Sequence, residues 1–393
     1  MPGVGAPQEM ASRMGPLASS PTDERRRAVA SASSRLPALL EPERVSPFLH
    51  DRGTVLYNPL TGASLPKHGE GFQALSRAAA GMPVEASPAV LEHLRAARFL
   101  IDDVDAEARR THLLYVSLET CTSCNHRCPF CPVSVSPRER EVMTQELFES
   151  ILDQIVEAGG RGTVVFLSNY NEPTIDPLFE ERVLALFARG LPVSLLTNAS
   201  HLDPDRAARL EAAGQFRYVG INLPTLDPER YERLHGTRDL ARVLANIDAL
   251  AARRLAQESA IVVLGDEDEA HRRDAEEIRA RFEPGGWWVR PFKIRSRPAS
   301  GTFVPEPPAK KRLRGCEQMG SRPFEHLHVT ATAKAVLCCQ DYYEKLTVGD
   351  LRTQSVAQIL GGDTMARLRR WTYGVEEAPD DFLCRRCEFA LGE

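Results

Sequence analysis

The chain has 393 residues, 42% of them hydrophobic, and a formal net charge of −5. Such a length suits a large catalytic domain with one or two smaller appendages, and the apolar share supports a sizeable core. The acidic balance argues against a general nucleic-acid binder, though not against a single-site RNA substrate, and no apolar run approaches a membrane span.

Residues 1–43 are rich in Ala, Pro, Ser and Arg and include Arg25-Arg26-Arg27. Without the apolar core of a signal peptide they read as a disordered arm of a cytoplasmic protein, with a transit peptide as the alternative. Residues 48–103 follow with a strand at Thr54-Val55-Leu56-Tyr57, the turn Asn58-Pro59-Leu60-Thr61-Gly62, and amphipathic helices at Phe72–Ala80 and Ser87–Ala97. They close on the apolar Phe99-Leu100-Ile101. Strand, helices and strand in so few residues suit a small winged-helix-like module.

From Thr111 to Ala299 the pattern alternates strand and helix. Strands are expected at Leu113–Leu118, Gly162–Leu167, Leu191–Leu196, Tyr218–Leu223, Ala260–Leu264 and Trp287–Arg290. Helices are expected at Gln145–Ala158, Pro177–Ala188, Asp203–Ala213, Asp227–Leu234, Leu240–Arg253 and Arg272–Phe282. Repeated β-α units with apolar strands imply an α/β fold, a parallel sheet with helices packed outside it, closed or partly closed. Ligands in such sheets bind at the carboxyl ends of the strands, where Cys121–Cys131 and Asn169–Pro173 fall. Beyond residue 300 the periodicity weakens, which sets a domain boundary before a final segment, 300–393.

The nine cysteines form two groups, four between Cys121 and Cys131 and five between Cys316 and Cys387. With no signal sequence and a chain this long, metal is a better reading than a disulfide framework. In the first group Cys124, Cys128 and Cys131 have x3 then x2 spacing. Three thiolates so placed can hold three irons of a 4Fe–4S cubane and leave the fourth open to an exchangeable ligand. A zinc knuckle remains the alternative, since Cys121-x2-Cys124 and Cys128-x2-Cys131 also form a CxxC…CxxC pattern. Cys121 reads as a buried thiol at a strand end.

The C-x3-C-x2-C run, with Phe130 just before its last Cys and a strand before its loop, resembles the signature of the radical S-adenosylmethionine (SAM) superfamily. That resemblance implies a partial (β/α)6 barrel over 111–299. It makes Cys124, Cys128 and Cys131 the catalytic cluster ligands and places Phe130 against the adenine of SAM. In such enzymes the open iron chelates SAM, and reductive cleavage of its sulfonium bond gives a 5′-deoxyadenosyl radical that abstracts a substrate hydrogen. Further along, Glu172-Pro173 stands where the family has its "GEP" motif, with Asn171 in place of the Gly, and is expected to contact the SAM amino group. Thr197-Asn198 is similar to the family's "TN", Asn222 stands where a Ser commonly helps bind SAM, and Arg297 lies in a motif that ends related barrels. His126 and Arg127, beside the first cluster, are more easily read as structural or solvated than as catalytic.

In the second group the pattern Leu337-Cys338-Cys339-Gln340-Asp341, then Val348-Gly349-Asp350-Leu351, then Cys384-x2-Cys387, resembles SPASM and twitch domains of the same superfamily. A hairpin-like stretch, Leu327–Leu337, leads into it, with Ala333 where those domains have a Gly, and helices are expected near Ser355–Leu360 and Thr364–Arg370. The resemblance implies an α+β iron–sulfur domain over 300–393, in which Cys316, Cys338, Cys384 and Cys387 hold one auxiliary 4Fe–4S cluster. Cys339 could replace Cys338 or donate a hydrogen atom, and Asp341, Tyr342 and Tyr343 could face substrate. A four-cysteine structural zinc site is the alternative.

The 48–103 segment resembles the RiPP recognition element of radical SAM peptide maturases, which implies a precursor peptide bound as an added edge strand. The expected activity is oxidative modification or crosslinking of such a peptide. A dehydrogenase or epimerase of a small natural product, of the aminoglycoside type, and a zinc-stabilised binding protein are the alternatives. Expected partners are SAM and a flavodoxin- or ferredoxin-type reductant.

Overall fold

The computed structural model describes residues 43–296 and 304–393. The expected arm, up to residue 42, and Arg297 lie outside them. The described residues fall into two compact units, one reaching Glu107 and including Glu317–Ser321, the other formed by Ala108–Cys316 and Arg322–Glu393.

In the first unit β2 (His50–Asp51), β3 (Val55–Tyr57) and β4 (Ser64–Pro66) form an antiparallel meander, and β1 (Arg44–Val45) pairs with β5 (Leu100–Ile101). The meander precedes α1 (Gly69–Ala79) and α2 (Pro88–Ala96). Leu65, Ala74, Leu75, Leu94, Phe99 and Leu100 form their shared core. The expected Asn58–Gly62 turn holds these pieces together. The buried Asn58 amide donates to the carbonyls of Ala97 and Arg98, both at 2.9 Å, at the end of α2. The short α3 (Val104–Ala108) leads into the second unit.

There, six parallel strands lie side by side in chain order: β6 (Tyr115–Leu118), β7 (Val164–Phe166), β8 (Val193–Thr197), β9 (Phe216–Asn222), β10 (Ala256–Gly265) and β11 (Trp288–Lys293). Between them run the helices Gln145–Gly159, Phe179–Ala188, Pro204–Ala213, Pro228–His235, Leu240–Leu250 and Glu269–Phe282. The strands do not close on themselves, so this is the expected partial (β/α)6 barrel. Local sequence explains the helix starts. Thr144, Asp203, Asp227 and Asp268 each accept a backbone N–H from the first turn, worth about 1 kcal/mol apiece. In the first of these helices Phe148, Ile151, Leu152 and Ile155 share one face and are fully buried. Each side chain so buried contributes roughly 1.5–3 kcal/mol.

The sheet does not stop at the barrel. Past the β12 strand (Leu313–Cys316), β13 (His326–Val329) lies parallel against β6, with His326 opposite Tyr115 and Val329 opposite Leu118. β14 (Lys334–Val336) and β15 (Thr347–Asp350) then extend the sheet antiparallel to nine strands. The expected hairpin thus continues the barrel sheet, and Leu327, Val329, Ala335 and Leu337 share the core of the barrel strands. The segment ends with the helices Val356–Leu360 and Asp363–Thr372 and with β16 (Ala390–Gly392), which pairs back onto β12. No helix among the described residues is long and apolar enough to cross a membrane.

Candidate active site

The first cysteine loop leaves the carboxyl end of β6. Cys124, Cys128 and Cys131 are half-buried; Cys124 feels the charge of Cys131, and Cys128 that of Cys131 and Cys124. Burial pushes the Cys124 thiol up to about 12, with Glu172 and Cys131 adding to it. Cys128 is raised by burial and then by Cys131 and Cys124. Three converging thiols that resist ionisation alone become a good donor set once a metal balances their charge. The His126 backbone N–H, 3.4 Å from the Cys124 sulfur, favours the thiolate further.

Cys121 stands apart. It is 2% exposed, its thiol faces the Ser123 carbonyl and Asn171, and burial raises it to about 11. A CxxC…CxxC zinc site would need that thiol to leave these partners and join the other three.

Several contacts hold the loop in shape. Gly236, at φ +66°, caps the helix Pro228–His235 and abuts Arg127, where a Cβ would come within 2.7 Å of the Arg127 Cβ. The Arg127 N–H donates to the His235 carbonyl at 2.8 Å. Beneath the loop the buried His126 and His235 rings lie 4.8 Å apart, and burial lowers both, His235 to about 3. His126 Nε2 is 3.4 Å from Asp239. With Cys128, these two rings form a cluster of potential metal donors. Because Cys128 also feels the charges of Cys131 and Cys124, we read the histidines as the floor of the loop.

Glu172, Asn198 and Asn222 stand at successive strand ends. Glu172 is 3% exposed and fully engaged within the protein. Its carboxylate accepts from Thr174 N (3.1 Å), Thr174 Oγ1 (2.7 Å), Thr197 Oγ1 (2.6 Å) and Asn198 N (2.7 Å). Burial raises its pKa despite these donors. In this geometry Glu172 ties the end of β7 to the end of β8. Pro173 opens a short 3-10 turn directly behind it. Asn198 Nδ2 donates to Asn125 Oδ1 at 2.9 Å, and Asn125 Nδ2 to Ser200 Oγ at 2.8 Å, so β8 also grips the cysteine loop. Asn222, at the last position of β9, has a buried side-chain oxygen with no partner. A buried acceptor left unpaired calls for a ligand donor. Phe130 is half-buried in the turn between Cys128 and Cys131.

The cysteines of the second group are electrostatic neighbours. Cys316, Cys338, Cys384 and Cys387 are all buried. Burial raises Cys384 well above the ordinary thiol range, followed by repulsion from Cys338, Cys387 and Cys316. Cys338 is raised in the same way, with Cys339 and Cys387 as neighbours. The Gln340 N–H, 3.4 Å from Cys338 Sγ, is a donor of the kind that tunes a cluster, and Thr372 Oγ1 lies 3.9 Å from Cys384 Sγ. Four buried thiols fit a closed cluster. Cys339 is half-buried, and its sulfur faces Arg322 Nη1 at 2.6 Å.

A connection between the two groups escaped the sequence reading. The Tyr170 hydroxyl donates to the Cys339 carbonyl, and its ring meets Tyr342 edge-on at 4.8 Å. Tyr342 Oη donates to the Ser136 carbonyl at 2.8 Å, just past the first loop. Arg138 lies 4.6 Å over the Tyr342 ring and pairs with the buried Glu119, whose carboxylate also accepts from Tyr170 N (3.2 Å) and Ala331 N (3.4 Å). Tyr343 Oη donates to Ser136 Oγ at 2.7 Å. Asp341 is spent on the backbone of its own turn, accepting from Lys345 N and Leu346 N. Also missed were His326 and His328, stacked 3.9 Å apart and fully buried beside β6. His326 Nε2 meets Ser117 Oγ at 2.9 Å.

Comparisons with known proteins agree with this geometry. Residues 118–278 match the radical SAM superfamily, and residues 316–388 match an iron-sulfur cluster-binding domain, SPASM. Among curated proteins, the GTP 3′,8-cyclase of Pseudomonas savastanoi pv. phaseolicola is 31% identical over 147 residues, 35% of this chain and 41% of that enzyme. The Pseudomonas entomophila enzyme is 30% identical over 166 residues, 39% and 47%. The chain thus spans less than half the length of the curated relatives it matches. Among solved structures, Streptococcus suis SuiB bound to SAM has a TM-score of 0.56 at 12% identity, covering 90% of this chain and 93% of SuiB. Native anSMEcpe with bound SAM has a TM-score of 0.51 at 11% identity, covering 70% of this chain and 86% of that one. With three cysteines on the loop after β6 and four buried ones in the later segment, residues 118–278 form a domain of the radical SAM superfamily and residues 316–388 a SPASM iron–sulfur domain.

Proposed function

We propose that this protein cleaves SAM reductively and uses the resulting radical to oxidise or crosslink side chains of a ribosomally made precursor peptide. The observation that carries the oxidative reading is the bridge Tyr170–Tyr342–Arg138, which packs the four-thiol site against the three-thiol loop. Iron–sulfur clusters bound there would supply an electron to the sulfonium at the first site and an electron acceptor at the second. The chain's own residues do the rest. Asn125, Asn198 and Ser200 fix the cysteine loop, Glu172 locks two strand ends, and the unpaired Asn222 oxygen accepts a hydrogen bond from SAM. Phe130 lies against the adenine, as the family pattern implies.

Two observations support a peptide substrate. The first unit is a small antiparallel sheet with two helices, and among the described residues β2 and β4 each have a strand on one side only. An extended peptide adds to such an edge through main-chain hydrogen bonds. The fold likeness to SuiB, a protein also solved with its precursor peptide SuiA, extends over most of the chain. A second reading, a small-molecule substrate such as a nucleotide, draws on the partial match to GTP 3′,8-cyclases.

The test is anaerobic reconstitution with iron and sulfide, then dithionite and SAM, with 5′-deoxyadenosine measured by chromatography. A short peptide encoded beside this chain's gene should change mass on incubation, by loss of hydrogens. Absence of 5′-deoxyadenosine from a well-formed cluster would refute the chemistry. Modification of GTP but of no peptide would refute the substrate.

A further inference from the structure

Along β9, β10 and β11 the alternate residues Val219, Ile221, Ile261, Val263 and Val289 belong to the core that packs under the helices. Their neighbours therefore face the barrel interior. That inner face is open: Asn222, Val262, Leu264, Trp288 and Phe292 are only half-buried, and Leu196 on β8 is 41% exposed. Open apolar and aromatic surface with a few polar groups is the usual make-up of a ligand site.

Two charged residues share that face by alternation: the exposed Glu258 at its lower end, beside Tyr218, and the buried Arg290. Arg290 is 4% exposed and lies between two aromatic neighbours on its own strand, 4.1 Å over Trp288 and 4.9 Å over Phe292. Tyr218 reaches it from below, across Gly220, where any side chain would collide with the Tyr218 ring. Yet Arg290 Nη1 is buried with no hydrogen-bond partner, and among the described residues no carboxylate pairs with it. The register puts Arg290 opposite Val262, and Val262 opposite Asn222. Two strand spacings place the Asn222 and Arg290 backbones roughly 10 Å apart at one level of the barrel.

We propose that Arg290 anchors the substrate of this barrel through a carboxylate. The proposal rests on the reading above, in which SAM is held by the strand ends from β6 to β9 as far as Asn222. Arg290 lies two strands further round, so a group bound to it stands beyond SAM from the cysteine loop. A guanidinium matches a planar carboxylate bidentately. One such cation between two rings suits a single negative charge, as on an acidic side chain or a peptide C-terminus, better than a polyphosphate.

The experiment titrates the cluster-reconstituted protein, with SAM present, with N-acetylglutamate and with the isosteric N-acetylglutamine, reading tryptophan fluorescence because Trp288 touches the guanidinium. SAM affinity is measured in parallel by equilibrium dialysis. The parent protein should show a saturable millimolar response to N-acetylglutamate and none to N-acetylglutamine. Arg290→Gln should raise that midpoint at least tenfold. Arg290→Lys, which keeps the charge and guards against misfolding of the first variant, should raise it less. SAM affinity should stay within twofold throughout. A tenfold loss of SAM affinity in Arg290→Gln with the carboxylate response intact would assign the guanidinium to SAM and overturn the proposal. So would the absence of any saturable carboxylate response in the parent protein. A parent protein that binds no SAM at all would remove the reading beneath the proposal, and the proposal with it.

Discussion

Glu172 decides between two uses of one carboxylate. The family pattern puts it on the SAM amino group, whereas here both oxygens already accept from the protein, three donors on one and Asn198 N on the other. Glu172→Gln keeps the shape but turns one acceptor into a donor. If the amide oxygen keeps the three-donor position, its NH2 confronts the Asn198 N–H. The lost charge-assisted bond and the buried donor left unmade cost about 1.5–3 kcal/mol each. Relief of the buried carboxylate's desolvation offsets part of that, for a net loss of about 2–3 kcal/mol. Urea unfolding followed by circular dichroism measures it on the metal-free protein, and equilibrium dialysis gives SAM affinity after reconstitution. The expected result is that loss of stability with less than a threefold change in SAM affinity. Stability unchanged within about 0.5 kcal/mol, together with a SAM affinity weakened more than tenfold, would show that the carboxylate contacts SAM and does not act as a strand latch.

Ala333 holds φ +62° in the β13–β14 turn, a left-handed position natural to Gly, while its methyl is fully buried. Ala333→Gly exchanges a strain of about 1–2 kcal/mol for a lost methyl contact of about 1 kcal/mol, so it should be near neutral. Ala335→Gly in β14, equally buried, should be at least about 1 kcal/mol worse by the same unfolding assay. Cys384→Ser should remove about half of the bound iron and labile sulfide, while Cys339→Ser and Cys121→Ser keep it. Iron loss in Cys339→Ser but not in Cys338→Ser would exchange the ligand assignment. His326 and His328 have pKa values held far below the ordinary range by burial. The unfolded chain takes up those protons below about pH 6.5 and the folded chain refuses them, so stability is full above that pH and falls as pH drops. Two such groups give about 2.7 kcal/mol per pH unit between about pH 6 and 5 in the metal-free protein. A His326→Phe/His328→Phe variant should flatten that slope, and an unchanged slope would show that other groups set it.

The barrel was legible because its signals are local. Apolar strands such as Val193–Thr197 and caps such as Asp203-Pro204 announce themselves within a few residues. The same holds for the thiolate run at Cys124, Cys128 and Cys131, whose spacing is itself the chemistry. What stayed hidden depends on contacts distant in sequence. The β12–β16 pair joins Cys316 to Ala390, and β2 has two residues, too few for a periodicity. Arg138 looks like any loop arginine until folding brings Glu119 and Tyr342 to it. Glu172 was found by pattern, but its four donors come from backbone and side chains that only the fold assembles. Arg290 was read as the end of a strand, because nothing in its neighbours' identity says which face of β11 is open.

The pairing of β13 with β6 also governs how the chain can be made. Ser117 meets His326 across 209 residues, so the first barrel strand to leave the ribosome waits for this neighbour until all six barrel strands have been synthesised. Until then one side of Tyr115–Leu118 is an unpaired edge, the kind of surface that recruits foreign strands. A chain cut near residue 300 would keep all six barrel strands and the three-thiol loop yet expose that edge permanently, and it should aggregate instead of yielding a free-standing barrel. Metal delivery to the early loop therefore precedes completion of the sheet that will hold it against the second site, or else waits for the whole chain.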